Sequence, residues 1–366
     1  MSKWRVGAGA RAGTVLALLC VAWYTPAPAQ TACCRALNEP AAAVKDPSHV
    51  VLVAITRAGK RLVAAGEHGV IIYSDDSGHT WHQASVPVDV TLTDVKFATP
   101  KEGWAVGHYG VVLHSADGGV TWQKQLDGDK YNALAMAAAK IAVADDDPSP
   151  GMPLAIRRAQ HFLDNGPSIP FLTIWAPNTR DATIFGAYRM AVKTSNGGRT
   201  WTDGSLHVAD PISHNLYDVA SIGSDVCIAA EAGLVFCSSD QGQTFLEVGL
   251  TGAATLLGIL PTGDGGMLVF GVAGYAYRSE DRGKSWMSVD MDARTNLTAG
   301  IVLKSGAIAV VDQAGSIHVS HDHAKTFDVL SERQPMSLYN LAQAPNGDVV
   351  VVGSGGTMTI PAGAFN

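Results

Sequence analysis

The sequence predicts an all-β protein, a seven-bladed β-propeller, and three observations carry that prediction. An eight-residue pattern, Ser/Thr-x-Asp/Asn-x-Gly/Ala-x-Thr/Ser-aromatic, recurs six times, at 74–81, 115–122, 194–201, 238–245, 279–286 and 320–327. The starts lie 41, 79, 44, 41 and 41 residues apart, so four intervals share one period and the fifth carries about 38 extra residues. A repeat near 40 residues is the mark of a propeller blade. A tight turn also ends five residues before each motif, at Gly69, Gly110, Arg189, Gly233, Gly274 and Gly315, and recurs in Gly353-Ser354-Gly355-Gly356, which makes seven units.

The chain starts with a segment that reads as a secretory signal over residues 1–29. Lys3, Arg5 and Arg11 form a basic start, 13–24 is apolar, and Ala27-Pro28-Ala29 is a small-x-small cleavage site before Gln30. The apolar stretch is shorter than the roughly 20 residues a membrane span needs. Cys20 follows Leu19 rather than the small residue that precedes a lipid-modified cysteine. The expectation is export from the cytoplasm. Removing 1–29 takes three basic groups and no acidic ones from a net charge of −7, leaving −10. An acidic surface of this kind excludes nucleic acid as the expected partner, since phosphate backbones need a dense Lys/Arg face.

Residues 30–46 form an N-terminal segment and 47–366 the propeller. Each unit alternates apolar and polar residues in short runs bounded by Gly, Asp and Asn, as strands do. The fourth unit predicts strands at 216–222, 226–230, 234–238 and 244–248; four antiparallel strands per repeat make a blade. The seventh offers only three, at 338–344, 349–352 and 357–360, so a strand from 34–46 is expected to complete it and close the ring. Closure hides sheet edges that would otherwise pair with other chains.

The repeated motif is the Asp-box, and its chemistry is structural. The acid or amide (Asp76, Asp117, Asn196, Asp240, Asp281, Asp322) accepts backbone N–H groups across its own turn, and the Gly permits positive φ. The closing aromatic (Trp81, Trp122, Trp201, Phe245, Trp286, Phe327) packs on the blade. Four cysteines follow the signal: Cys33, Cys34, Cys227 and Cys237. Cys227 and Cys237 take mirror positions on a hairpin and read either as a disulfide or as two buried thiols.

Function is expected at the mouth of the channel, where loops join second to third strands and one blade to the next. The second-to-third turns present Glu67, His68, His108, Tyr109, Tyr188, Arg189, Glu231, Asp312 and Gln313, a mixed ring suited to a protein segment or peptide terminus. The extra residues, about 128–168, fall between the second and third blades and should cover the same face. They contain Asp145-Asp146-Asp147-Pro148 and then a short helix at 153–163, with Leu154, Ile156, Ala159, Phe162 and Leu163 on one side and Arg157 and Arg158 facing out. A long insertion in a compact fold reads as a docking element.

No metal or cofactor is expected. His321-Asp322-His323 is part of an Asp-box, and His207, Asp210 and His214 lack a ligand spacing. There is no G-x-S-x-G, phosphate-cradling glycine loop or Cys-x-x-Cys.

The seven units, the Asp-boxes, the signal and the insertion ending in Asp164-Asn165-Gly166-Pro167 before Pro170-Phe171-Leu172 resemble the photosystem II stability/assembly factor-like family over nearly all of the chain after the signal. The resemblance implies a non-enzymatic, exported Asp-box propeller that binds a membrane or envelope protein complex as an assembly factor and acts as a monomer, in the thylakoid lumen of phototrophs and, among bacterial relatives, in the periplasm. One departure bears on the partner. Members acting on photosystem II carry an arginine patch, and the mouth loops here offer only Arg189. The competing class is a glycan-binding or glycoside-hydrolysing, sialidase-like propeller. Sialidases have six blades and an arginine trio that this mouth lacks, and the pair left to flank a glycosidic bond is Glu67 with Asp312.

Overall fold

The computed structural model describes residues 35–144, 152–249, 254–330 and 334–366. The signal sequence, Cys33, Cys34 and the acidic run 145–147 lie outside them. Seven antiparallel sheets stand radially around a channel, covering 52–83, 92–126, 171–203, 216–247, 256–289, 297–329 and 338–360; six have four strands and the last has three.

The second strand of each blade explains the core. These strands read RLVAAG, GWAVG, ATIFG, DVCIAA, MLVFG, IAVVD and VVVVG, and nearly every residue in them is buried. Alternation disappears because each sheet is covered on both faces by its neighbours, as in other doubly covered sheets. The buried apolar residues fall into seven clusters, one per seam between adjacent blades. Every innermost strand shifts register near its start, for example between Leu52 and Ala54 or Leu338 and Asn340, which bends it around the channel.

The six Asp-boxes share one set of bonds. In the first, the Asp76 carboxylate accepts from Thr80 N at 2.8 Å, Thr80 Oγ1 at 2.6 Å and Ser74 Oγ at 2.8 Å, while Ser74 Oγ accepts from Gly78 N. Those donors hold the Asp76 carboxyl well below its ordinary range, the Thr80 hydroxyl first among them. The same causes, led by Ser285, bring Asp281 to about 2. The aromatic fills the seam with the preceding blade: Phe245 meets Phe185 of the third blade edge-on at 5.4 Å. Cys227 and Cys237 pair directly across the second and third strands of the fourth blade and are disulfide-bonded.

Two expectations about the chain's course are corrected. The seventh blade stays three-stranded among the described residues, because 35–46 runs elsewhere. Ala36 O accepts from Asp89 N, Ala41 N donates to Val86 O, and Val44 N donates to Gln83 Oε1, so the segment straps the first blade and its link to the second. It meets the seventh blade where Val44 packs against the seam holding Val350 and Val352, and just beyond it the Ser48 carbonyl lies where a Gly356 Cβ would sit. Burying Leu37 between the first two blades outweighs adding an edge strand. The ring is closed instead by the seam joining Leu52, Ile55 and Ile72 to Val350 and Val352.

The insertion holds two helices rather than one, α1 (Gly128–Ala144) and α2 (Met152–Asn165). Ala159 and Phe162 of α2 are buried with Tyr131, Ala135 and Met136 of α1 against Trp104, Val106 and Phe171. Leu163 is exposed and Arg158 turns inward, the reverse of the expected faces, since the two residues flank the buried Ala159–Phe162 stripe on opposite sides.

Candidate functional site: the mouth face

The first five mouth turns share one backbone. The central residue is left-handed at His68, Tyr109, Tyr188, Ala232 and Ala273, with φ between 53° and 58°. The next residue is glycine in all but one, because a Cβ there would strike the incoming connection: at Gly69 it would lie 1.9 Å from Val88 O, and at Gly274 2.1 Å from Ala293 O. Non-glycine residues in this region cost energy, so the conformation is held by its surroundings. Asn215 Oδ1 accepts from Tyr188 N and Asn296 Oδ1 from Ala273 N, which anchors two of the turns to the following blade.

The third blade is the exception. Arg189 stands where the others have glycine, at φ 59°. Its guanidinium donates to the carbonyls of Val208 and Asp210, and its backbone N–H to His214 O. Asp210 is itself buried and accepts from the N–H groups of Ile212, Ser213 and His214 and pairs with His214 Nδ1 at 3.0 Å. The connection after the third blade is thus knotted around one carboxylate; it leaves Ile212 77% exposed, and Tyr188 on the turn bound to this connection through Asn215 is 57% exposed. Asp210 and His214 form this knot, while His207 lines the cleft between the third and fourth blades; among the described residues no group of three or more ligand-type side chains could hold an ion.

Of the other expected residues, Glu67, His68, His108 and Gln313 are exposed and Tyr109 is half-buried. His68 Nδ1 pairs with Asp89 at 3.0 Å, Gln313 Oε1 accepts from Asn296, and Glu231 Oε2 accepts from Asn215 N at 3.2 Å. Asp312 is corrected: it is 2% exposed, accepts from Ala314 N and Ser316 N, and faces His318 Nε2 at 3.3 Å. It shapes its turn in place of the missing 3₁₀ geometry and presents nothing to the mouth. Burial opposes its charge, but His318 and the two N–H groups hold its carboxyl below the ordinary range.

The helices rest on this exceptional blade. Between them and Arg189 lies a pocket of about 20 Å³ lined by Tyr131, Arg158, Phe162, Asp203 and Leu206. Burial raises the Tyr131 hydroxyl and the Asp203 carboxyl and lowers both guanidinium groups, Arg158 and Arg189. The sequence analysis places only one helix in the insertion and so does not reach this contact; the Ala-rich run after Tyr131 is the signal for α1.

A second cluster, also missed, lines the channel. Asp94 accepts from Ile174 N and Asp218 from Ile259 N, each stapling one innermost strand to the next blade. Lys96 Nζ sits 3.7 Å from Asp94, which raises its pKa. Desolvation carries the Asp218 carboxyl up to about 6, opposed by Lys96 and the Ile259 N–H. The repeated Leu-x-Asp/Asn at Leu92, Leu216 and Leu338 was the available signal.

The sequence matches the family described as photosynthesis system II assembly factor YCF48 over residues 74–147 and 171–361. No curated protein matches by sequence. Among solved structures, a YCF48 bound to a D1 peptide is similar with a TM-score of 0.62 at 16% identity, covering 87% of this chain and 94% of that one. YCF48 from Cyanidioschyzon merolae is similar with a TM-score of 0.61 at 15% identity, over 88% and 98%. A GH74 enzyme of Niastella koreensis is similar at 0.60 and 12%, over 86% of this chain but 53% of the enzyme. Identities this low speak for the fold alone.

Proposed function

The chain belongs to the photosynthesis system II assembly factor family, and on that premise we propose that it is an exported, non-enzymatic propeller that binds a protein of a membrane or envelope complex through its mouth face and acts in that complex's assembly or stability. It works as a monomer, in the periplasm, or in the thylakoid lumen if its source is phototrophic. The observation that carries the reading is the third blade: the one mouth turn with a charged residue in place of glycine carries exposed Tyr188, is hydrogen-bonded to the connection that carries exposed Ile212, and lies under the two inserted helices. Rigid aromatic and apolar side chains on an otherwise polar rim favour protein contact. The likeness to a YCF48 bound to a D1 peptide supports a peptide segment as the form of partner. The glycosidase alternative loses its acid pair, since Asp312 is committed to its own turn.

The test is crosslinking capture from detergent-solubilised envelope with the intact chain and with Tyr188→Ser/Ile212→Ser. Removing the insertion is a poor control, because Tyr131 and Phe162 belong to the core. Loss of one specific membrane complex with the substituted chain supports the reading. Equal capture by both, or capture of no protein, counts against it.

A further inference from the structure

On the Asp-box face, opposite the mouth, a pocket of about 670 Å³ opens between the second and third blades, lined by Glu102, His114, Arg180, Asn196, Gly197 and Arg199 among others. Arg180 and Arg199 are both exposed, and neither belongs to an ion pair among the described residues. Arg180 is oriented by a long contact from Nη2 to Ser195 O at 3.5 Å, and its carbonyl accepts from Gly197 N at 2.9 Å. Asp181 is tied to Asn178 and lines the neighbouring cleft between the third and fourth blades. The one carboxylate in the pocket, Glu102, faces His114 Nε2 at 3.0 Å.

The motif departs from its pattern at this place. Five boxes carry Asp at the third position and the third box carries Asn196, with Ser195 where the first box has Asp75. Asn196 still accepts from Thr200 N at 3.0 Å and meets Thr200 Oγ1 at 2.8 Å, so the turn keeps its shape without the charge. The strand register sets Arg180 level with Lys60 of the first blade and Lys101 of the second, since Leu62 pairs with Ser74, Gly103 with Ser115 and Ala182 with Thr194; of these three boxes only the third lacks the acid. Two guanidinium groups outside any ion pair and the loss of the box carboxylate thus coincide in one pocket. Guanidinium forks match the oxygens of phosphate in pairs.

We propose that this pocket binds a phosphate group, carried by a small soluble molecule or a lipid headgroup, independently of the mouth-face reading. Titration calorimetry would use inorganic phosphate, glycerol 3-phosphate, and vesicles of phosphatidylglycerol against phosphatidylcholine, on the native chain, Arg180→Gln/Arg199→Gln and Asn196→Asp. The expected result is binding that weakens about tenfold in the arginine pair and about threefold in Asn196→Asp. The latter variant restores the residue of the other five boxes, so its Tm should not fall and misfolding cannot mimic the effect. Binding of the soluble probes assigns a free phosphate ligand, and binding only to phosphatidylglycerol vesicles assigns a headgroup. Unchanged affinity in either variant, or no binding of any probe, overturns the proposal.

Discussion

The two faces of this propeller use repetition differently. On the Asp-box face the same side chains recur and satisfy one another: hydroxyl, carboxylate and backbone N–H close a circuit in which every partner is local. On the mouth face the backbone recurs, but the side chains change from blade to blade and several point away from any partner. The repeated elements therefore mark what the fold needs, and the departures mark where selection acted on something else. Two departures stand out, Arg189 in a glycine position and Asn196 in an aspartate position, both in the third blade.

The largest effect expected from this contrast is at a glycine of the mouth. Gly69→Ala would place a Cβ within 1.9 Å of Val88 O, and should cost about 3 kcal/mol or more in denaturant unfolding. A loss under about 1 kcal/mol would break the claim that the turn's backbone is imposed by its neighbour. On the other face, Asp117→Ala removes the acceptor for Val120 N, Thr121 N, Thr121 Oγ1 and Ser115 Oγ. It should lower stability by about 1 to 2 kcal/mol, with Asp117→Asn losing less, as Asn196 already shows an amide can hold the turn.

A smaller effect distinguishes the channel from the Asp-boxes by its sign with pH. The box carboxyls are lowered in the folded chain, so their contribution is present above about pH 4 and is lost on acidification toward pH 2. Asp218 is raised to about 6; the folded chain holds its proton more tightly than the unfolded one, so this group's contribution falls as pH rises from about 4 to 6. Thermal melts across that window should flatten in Asp218→Asn relative to the native chain, and an identical slope in both would remove the assignment. The smallest effect is at the mouth itself. Tyr188→Ser and Ile212→Ser should shift stability by less than about 0.5 kcal/mol, because neither side chain is buried; a larger loss would mean that they hold the fold rather than a partner.

How far residues alone reach is visible in particular elements. The spacing of the boxes and turns was enough for the number of blades, and the strands of the fourth blade fall within a few residues of expectation, at Leu216–Ile222, Asp225–Ala230, Val235–Ser238 and Leu246–Glu247. The mirror placement of Cys227 and Cys237 left disulfide and thiols open, and the register that puts them opposite each other decided it. Asp312 looked like its neighbours in the mouth turns, yet only the fold reveals His318 behind it.

What this sequence determined by itself is what repeats, because a local hydrogen-bond circuit or a period of strand and turn is written into contiguous residues and needs no distant partner. Tertiary structure alone decided the rest: that 35–46 straps the first blade instead of completing the seventh, that Arg158 turns toward Arg189, and that Asp94 and Asp218 reach the backbone of the next blade. Each of these is a contact between residues far apart in the chain, chosen by competition for burial and for hydrogen-bond partners that exists only once the ring is assembled.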